Sequence, residues 1–258
     1  IPRRHLPALQ MMNTLSQQVR EAREFADQTT RTIRTVCESA PDCIVDESTK
    51  GNVWRAIIAP PNNKPAPLTV NGAQILKLLV NYECTSSPRH SHMLIETSRF
   101  ILLPKDANEP LMRMEYMRHP RSSVPSFHMH MHAHRDAWTF TMCRDGVGSS
   151  RKKVYQRGST KRVPQLSDIH IPVGGPRLRP ALEDLLEMLI HDLGVDHADD
   201  ALKVLEEQRV RWRVTQVQAI AKSMPNIVAD ALRDEGYKVI SPADSEPMNQ
   251  PPPWVHRY

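Results

Sequence analysis

One stretch constrains this chain more than any other. Phe127-His128-Met129-His130-Met131-His132-Ala133-His134 alternates histidine with an apolar or small residue at every step. In an extended strand successive side chains point to opposite faces, so this segment sorts into one polar and one apolar side. His128, His130, His132 and His134 share a face, with each i, i+2 pair about 7 Å apart, while Phe127, Met129, Met131 and Ala133 form the core side. A shorter echo follows: Asp168-Ile169-His170-Ile171 places Asp168 and His170 on one face and two isoleucines on the other.

The surroundings of this histidine ladder read as a sheet. Short β-rich runs occupy 43–47, 53–59, 75–84, 93–103, 111–117, 127–134, 137–143 and 167–173, punctuated by proline and asparagine. Pro60 to Pro65 reads as a turn or loop. Short connections between consecutive strands predict an antiparallel meander.

Helices flank the sheet on the sequence. Leu15, Val19, Ala22, Ala26, Thr29, Ile33 and Val36 recur at alternating spacings of four and three, the seam of one amphipathic helix that ends before Pro41. Leu182, Leu185, Leu186, Leu189, Ile190 and Leu193 mark a second. Pro180 stands near its start, Glu183 and Asp184 in its first turn and Gly194 at its end, where helix chemistry favours each. A third helix is predicted over 199–223, burying Leu202, Leu205, Trp212, Val217 and Ile220, and a fourth from Pro225 to Gly236. The expected fold is therefore α+β: a bent antiparallel β-sheet with an N-terminal helix and a C-terminal helical subdomain. The expected organisation is a sheet domain over 1–175, a helical subdomain over 176–240 and a Pro-rich tail over 241–258.

Composition narrows the class. With 258 residues and 40% hydrophobic content, the chain is long enough to bury a core without staples. Cys37, Cys43, Cys84 and Cys143 form no C-x-x-C pair, so reduced, buried thiols are expected. No apolar run nears the ~18 residues that span a bilayer, and no apolar segment follows the basic Ile1-Pro2-Arg3-Arg4-His5 start. These features predict a cytoplasmic protein that does not engage a membrane. The +5 net charge is concentrated: Arg144, Arg151, Lys152, Lys153, Arg157, Lys161 and Arg162 face only Asp145 across 144–162. A localised basic stretch favours a polyanion partner, and a solvated surface loop is the plainer alternative.

Three readings of the ladder stand side by side. It is a half-exposed polar face, covered and hydrogen-bonded by the C-terminal helices. Or it holds a divalent metal such as Zn, Mn or Fe, with His130 and His132 as ligands and Asp168 or His170 completing the shell. Or His128, His130, His132, His134 and His170 supply a metal-free general acid and base for attack of an RNA 2′-hydroxyl on the adjacent phosphate. Arg135, Arg177 or Arg179 would then stabilise the developing charge. Gly174 and Gly175, flanked by Arg177 and Arg179 ahead of the strong helix, present either a phosphate-binding turn or a tight strand-to-helix connection.

Absent motifs also bound the answer. The chain has no Gly-x-Ser-x-Gly elbow, His-Glu-x-x-His helix, Walker loop, dinucleotide fingerprint or kinase signature. A helix-turn-helix over 216–237 is interrupted by Pro225 and lacks a basic recognition face.

The run Leu111-Met112-Arg113-Met114-Glu115-Tyr116, a short loop, then Pro125-Ser126-Phe127-His128-Met129-His130 resembles TumE-like toxins of bacterial toxin–antitoxin pairs. Those proteins join an arginine-and-tyrosine-bearing strand to a Pro-x-His-x-His stretch. The likeness covers about 25 of the 258 residues, and the chain departs from it in length, in its extra histidines and in its helical C-terminal third. It implies a nucleic-acid-directed activity restrained by a partner protein, with His128, His130 and His132 as the residues carried over.

The leading expectation is a histidine-dependent nuclease acting on RNA, with Arg151, Lys152, Lys153, Arg157, Lys161 and Arg162 as its electrostatic guide. A cupin-like metal enzyme acting on a small molecule is the alternative. It is weakened because Arg135-Asp136 stands where that pattern calls for a glutamate. The third is a non-enzymatic adaptor whose helical third docks a partner protein.

Overall fold

The computed structural model describes residues 8–50, 53–86, 92–119, 126–131 and 179–240, with side chains from residue 17 onward. Helix α1 (Ala8–Arg34) leads into strands β1 (Ile44–Lys50), β2 (Val53–Ala59), β3 (Ala66–Val70), β4 (Ala73–Ser86), β5 (Met93–Pro104), β6 (Met112–Met117) and β7 (Phe127–Met131). Helices α2 (Leu182–Leu193), α3 (Ala201–Ser223) and α4 (Pro225–Asp234) follow. Among the described residues the strands form one antiparallel sheet in the order β1-β2-β4-β5-β6-β7, with β3 beside β4. The α+β fold expected from the sequence is the fold observed.

Strand β4 organises the sheet because it is long enough to serve two partners on one edge. Its residues 73–78 pair with β3, and 82–85 pair with β2, while its other edge runs along β5. Register shifts at Leu68/Thr69 and Glu83/Cys84 bend these ladders. Strand β3 was not foreseen, because Pro67 within it demotes a strand reading. Among the described strands β3 pairs only with β4, and an outer strand tolerates a residue that cannot donate to a ladder.

The β3–β4 turn is Asn71-Gly72, with φ of 51° and 75°. Two consecutive positive-φ residues are what a tight two-residue hairpin requires, and Asn-Gly supplies them at least cost. Asp196 clamps the turn, accepting from the Asn71 N–H at 2.9 Å and the Gly72 N–H at 2.8 Å. The Asp196 N–H in turn donates to the Thr69 carbonyl at 2.8 Å. The connection after α2 is thereby fastened to the hairpin.

Burial follows the strand alternation. Leu76, Leu78, Val80, Tyr82, Cys84, Phe100, Leu102, Met112 and Met114 form one face, and Phe127, Met129 and Met131 pack against it. Helices α1 and α2 and the first turns of α3 lie on this face. In α1 the seam of Ala22, Ala26, Thr29, Ile33 and Val36 is buried, as its spacing predicts. Its threonines stay satisfied by donating to carbonyls one turn back: Thr29 to Phe25, Thr30 to Ala26. Helix α2 buries all six residues of its predicted apolar stripe and stops at Gly194, whose φ is 64°. These residues belong to the same continuous buried cluster as the sheet.

Helix α3 departs from expectation. Ala201, Leu205 and Gln208 are buried, but Leu202 and Val217 are exposed, while Trp212 and Ile220 are half-buried. Its middle turns are tied to α2 by ion pairs: Arg209 with Asp184 and Glu187, and Arg213 with Asp184. An ion-paired flank, in place of an apolar seam, leaves the valines of its second half facing outward.

The predicted strands over 137–143 and 167–173, the basic stretch 144–162 and the tail 241–258 lie outside the described residues. Cys37, Cys43 and Cys84 are free and buried, and Cys143 lies outside. Burial pushes the Cys84 thiol up to about 12 and raises that of Cys43, so both are held as thiols. No helix among the described residues is long and apolar enough to cross a membrane.

Candidate functional site

The site is built from rows of cross-strand neighbours on the sheet face opposite the helices. Register pairs Arg99 on β5 with Glu115 on β6, and Glu115 with His128 on β7. The next row pairs Ile101 with Arg113 and Arg113 with His130. Directly opposed residues in antiparallel strands stand about 5 Å apart, close enough for these side chains to meet.

Glu115 is the hub. Its Oε1 accepts from Arg99 Nε at 2.8 Å and lies 3.9 Å from Arg113 Nη1. Its Oε2 lies 3.3 Å from His128 Nε2 and 3.6 Å from His130 Nε2. The two imidazoles meet edge to face, their centroids 5.0 Å apart. Partial desolvation pushes the Glu115 carboxyl up. The Arg99 hydrogen bond and the charges of Arg99, Arg113 and His130 together outweigh it, and the carboxyl sits below its ordinary range. Glu115 is therefore an anion at neutral pH. His128 is the more sheltered ring, with a side chain 13% exposed against 46% for His130.

The arrangement supports two kinds of chemistry. Ligand atoms of Glu115, His128 and His130 lie within 4.8 Å of one another, a spacing that suits a two-histidine, one-carboxylate cation site. The same atoms, with two guanidiniums beside them, also form an acid–base pair set in a cationic surround. Arg113 Nε is buried without an acceptor among the described residues.

Of the ladder, His128 and His130 are brought together. His132 and His134 lie outside the described residues, as do Arg135, Asp168, His170, Gly174, Gly175 and Arg177. So do Arg151, Lys152, Lys153, Arg157, Lys161 and Arg162. The reading in which C-terminal helices cover the ladder meets a topological obstacle. Among the described residues those helices pack on the other face, where Phe127, Met129 and Met131 point. Arg179 also belongs to that other face, stacked on Tyr116, and does not meet His128 or His130.

The sequence reading missed Glu115, Arg99 and Arg113 as site residues. Alternation within 111–117 places Arg113 and Glu115 on one face, which was available as a signal. Their pairing with the histidines depends on the register across the β6–β7 hairpin, which alternation alone leaves open.

Comparison with known proteins found no matching family model, no matching curated protein and no matching solved structure.

Proposed function

We propose that the face bearing Arg99, Arg113, Glu115, His128 and His130 acts on RNA, breaking phosphodiester bonds by acid–base chemistry at its imidazoles. The observation that carries this reading is the charge balance around Glu115. Two guanidiniums and two imidazoles surround one carboxylate, and Arg113 Nε still lacks an acceptor among the described residues. A surplus of donors beside imidazoles calls for an anionic substrate rich in acceptor oxygens, which a phosphodiester is.

The chemistry follows from the hub. Glu115 Oε2, 3.3 Å from His128 Nε2 and 3.6 Å from His130 Nε2, orients the two rings by its charge and favours whichever of them carries the proton. A neutral imidazole takes the proton of the RNA 2′-hydroxyl as its oxygen bonds to phosphorus. The P–O5′ bond breaks, and a protonated imidazole returns a proton to the leaving 5′-oxygen. The products are a 2′,3′-cyclic phosphate and a 5′-hydroxyl, with no net proton change. Arg99 and Arg113 stabilise the charge that builds on the phosphoryl oxygens. His130, the more exposed ring, is the first that substrate reaches.

The likeness of the β6–β7 segment to TumE-like toxins points the same way, and adds a partner protein that restrains the activity. The Arg144–Arg162 stretch would guide RNA by its charge, and an RNA substrate suits a cytoplasmic protein.

The 4.8 Å cluster favours a second reading, in which Glu115, His128 and His130 hold a divalent cation such as Zn, Mn or Fe. Against it, a cation would sit beside Arg99 and Arg113 and share a carboxylate already engaged by Arg99. Cleavage of labelled RNA by the full chain, with and without EDTA, tests both readings beside His128→Ala/His130→Ala. Cleavage that persists in EDTA and vanishes in the variant supports the acid–base reading. Cleavage abolished by EDTA supports the cation, and none by folded protein removes both.

A further inference from the structure

A cavity of about 300 Å³ lies on the opposite face of the sheet, between α1, β4–β6 and the segment from Arg179 through α3. That is small but within reach of ligand sites. Its walls are aromatic and apolar in large part, including Phe25, Tyr82, Phe100 and Tyr116. A structural void in a core would be lined this way and carry no charge. This one contains a guanidinium.

The Arg179 guanidinium carbon lies 3.8 Å from the Tyr116 ring centroid and 4.6 Å from that of Trp212. Ring contacts engage the flat face of a guanidinium and leave its in-plane N–H donors to other partners. Of those donors, one reaches Gln216 Oε1 at 3.3 Å, and no carboxylate among the described residues pairs with Arg179. Burial lowers its affinity for a proton, opposed in part by Tyr116 and Tyr82, and Arg118 adds a smaller lowering. Arg118 and Arg211 line the same cavity, as does His92. The carboxyl among the described lining residues is Glu183, and burial pushes it up to about 7. It is therefore a poor counterion near neutral pH. A further donor waits there: the Trp212 indole N–H is buried with no acceptor among the described residues. An unmet buried donor is costly, and a half-buried cation without an anion adds to the cost.

We propose that this cavity binds a small organic anion, its carboxylate or phosphate group held by Arg179 and the Trp212 N–H and its planar apolar body seated among the aromatic side chains. The site is independent of the histidine face, since Tyr116 and Glu115 are successive residues on one strand and point to opposite sides. Its ligand is a metabolite-sized molecule and not the RNA proposed for the other face.

The test is calorimetric titration of the full chain with benzoate, phenyl phosphate and uncharged benzyl alcohol. Saturable one-to-one binding of either anion, with none of benzyl alcohol, is expected, and the preferred anion identifies the charged group. Arg179→Met should weaken that binding at least ten-fold, while His128→Ala/His130→Ala leaves it unchanged. Should Arg179→Met not fold, Trp212→Phe keeps the aromatic bulk, removes the N–H and should weaken binding roughly three- to ten-fold. Failure of both anions to bind, equal binding of benzyl alcohol, or undiminished affinity in these cavity variants overturns the proposal.

Discussion

Replacing the Glu115 carboxylate by an amide removes a charge that two arginines and two histidines share, while keeping the side chain's shape. Under the proposed chemistry Glu115→Gln lowers RNA cleavage on the order of 10²-fold, because the imidazoles lose their orienting anion. Single-turnover cleavage by purified variant and parent checks this. The folded-state carboxyl is held below its ordinary range, so its stabilising contribution is present above about pH 4.5 and lost as pH falls through the folded value. Glu183 behaves in the opposite sense. Buried at 7% exposure and raised from 4.5 to about 7, it favours the native state as a neutral carboxyl below about pH 4.5, and that contribution is gone once pH passes about 7. Glu183→Gln should therefore be more stable than the parent at pH 8, by up to ~3 kcal/mol, and the gap should close toward pH 4.5. Urea unfolding at both pH values reads it. The sequence showed Glu183 as a helix-start acid but not its burial, which depends on what packs over the helix end. The histidines were legible one by one, because period-two alternation is a property of the strand itself.

At the scale of elements, the Asn71-Gly72 hairpin and the Asp196 clamp make one unit from segments 125 positions apart. Asp196 is pushed up by desolvation and down by more: the N–H groups of Gly72 and Asn71, the Thr69 hydroxyl and His197 together hold it below its ordinary range. Asp196→Ala should cost ~1–2 kcal/mol at pH 7, and the difference should shrink as pH falls through the folded pKa. Thermal unfolding across that window measures it. In α2, Leu186 is fully buried, and Leu186→Ala should cost about 2–5 kcal/mol without moving RNA cleavage rates at temperatures where the variant is folded. The α2 stripe was readable because every apolar residue served one seam. Helix α3 was not, because the flank toward α2 is ionic: Arg209 and Arg213 reach Asp184, and Val217 is left exposed. Apolar spacing does not distinguish a stripe that meets a core from one that meets nothing described. Strand β3 was hidden for a different reason, since Pro67 argues against a ladder wherever the edge is unknown.

For the whole molecule, the sheet separates its two faces by parity alone. Even-numbered residues of β6 face the helices and the aromatic cavity, and odd-numbered ones carry Arg113 and Glu115 to the histidines. The α+β architecture was legible from alternation and the helical seams. Cross-strand partners were not, because register through the β6–β7 hairpin decides whether Glu115 meets His128. Under the proposed chemistry His128 and His130 cleave RNA through its own 2′-hydroxyl. A labelled DNA strand carrying a single ribonucleotide tests it most directly, incubated in EDTA with the full chain and with His128→Ala/His130→Ala. Cleavage by the parent only at that ribonucleotide, leaving a 2′,3′-cyclic phosphate, with none by the variant, is the expected result. An intact strand after incubation with folded parent protein, or equal cleavage by the variant, would contradict it.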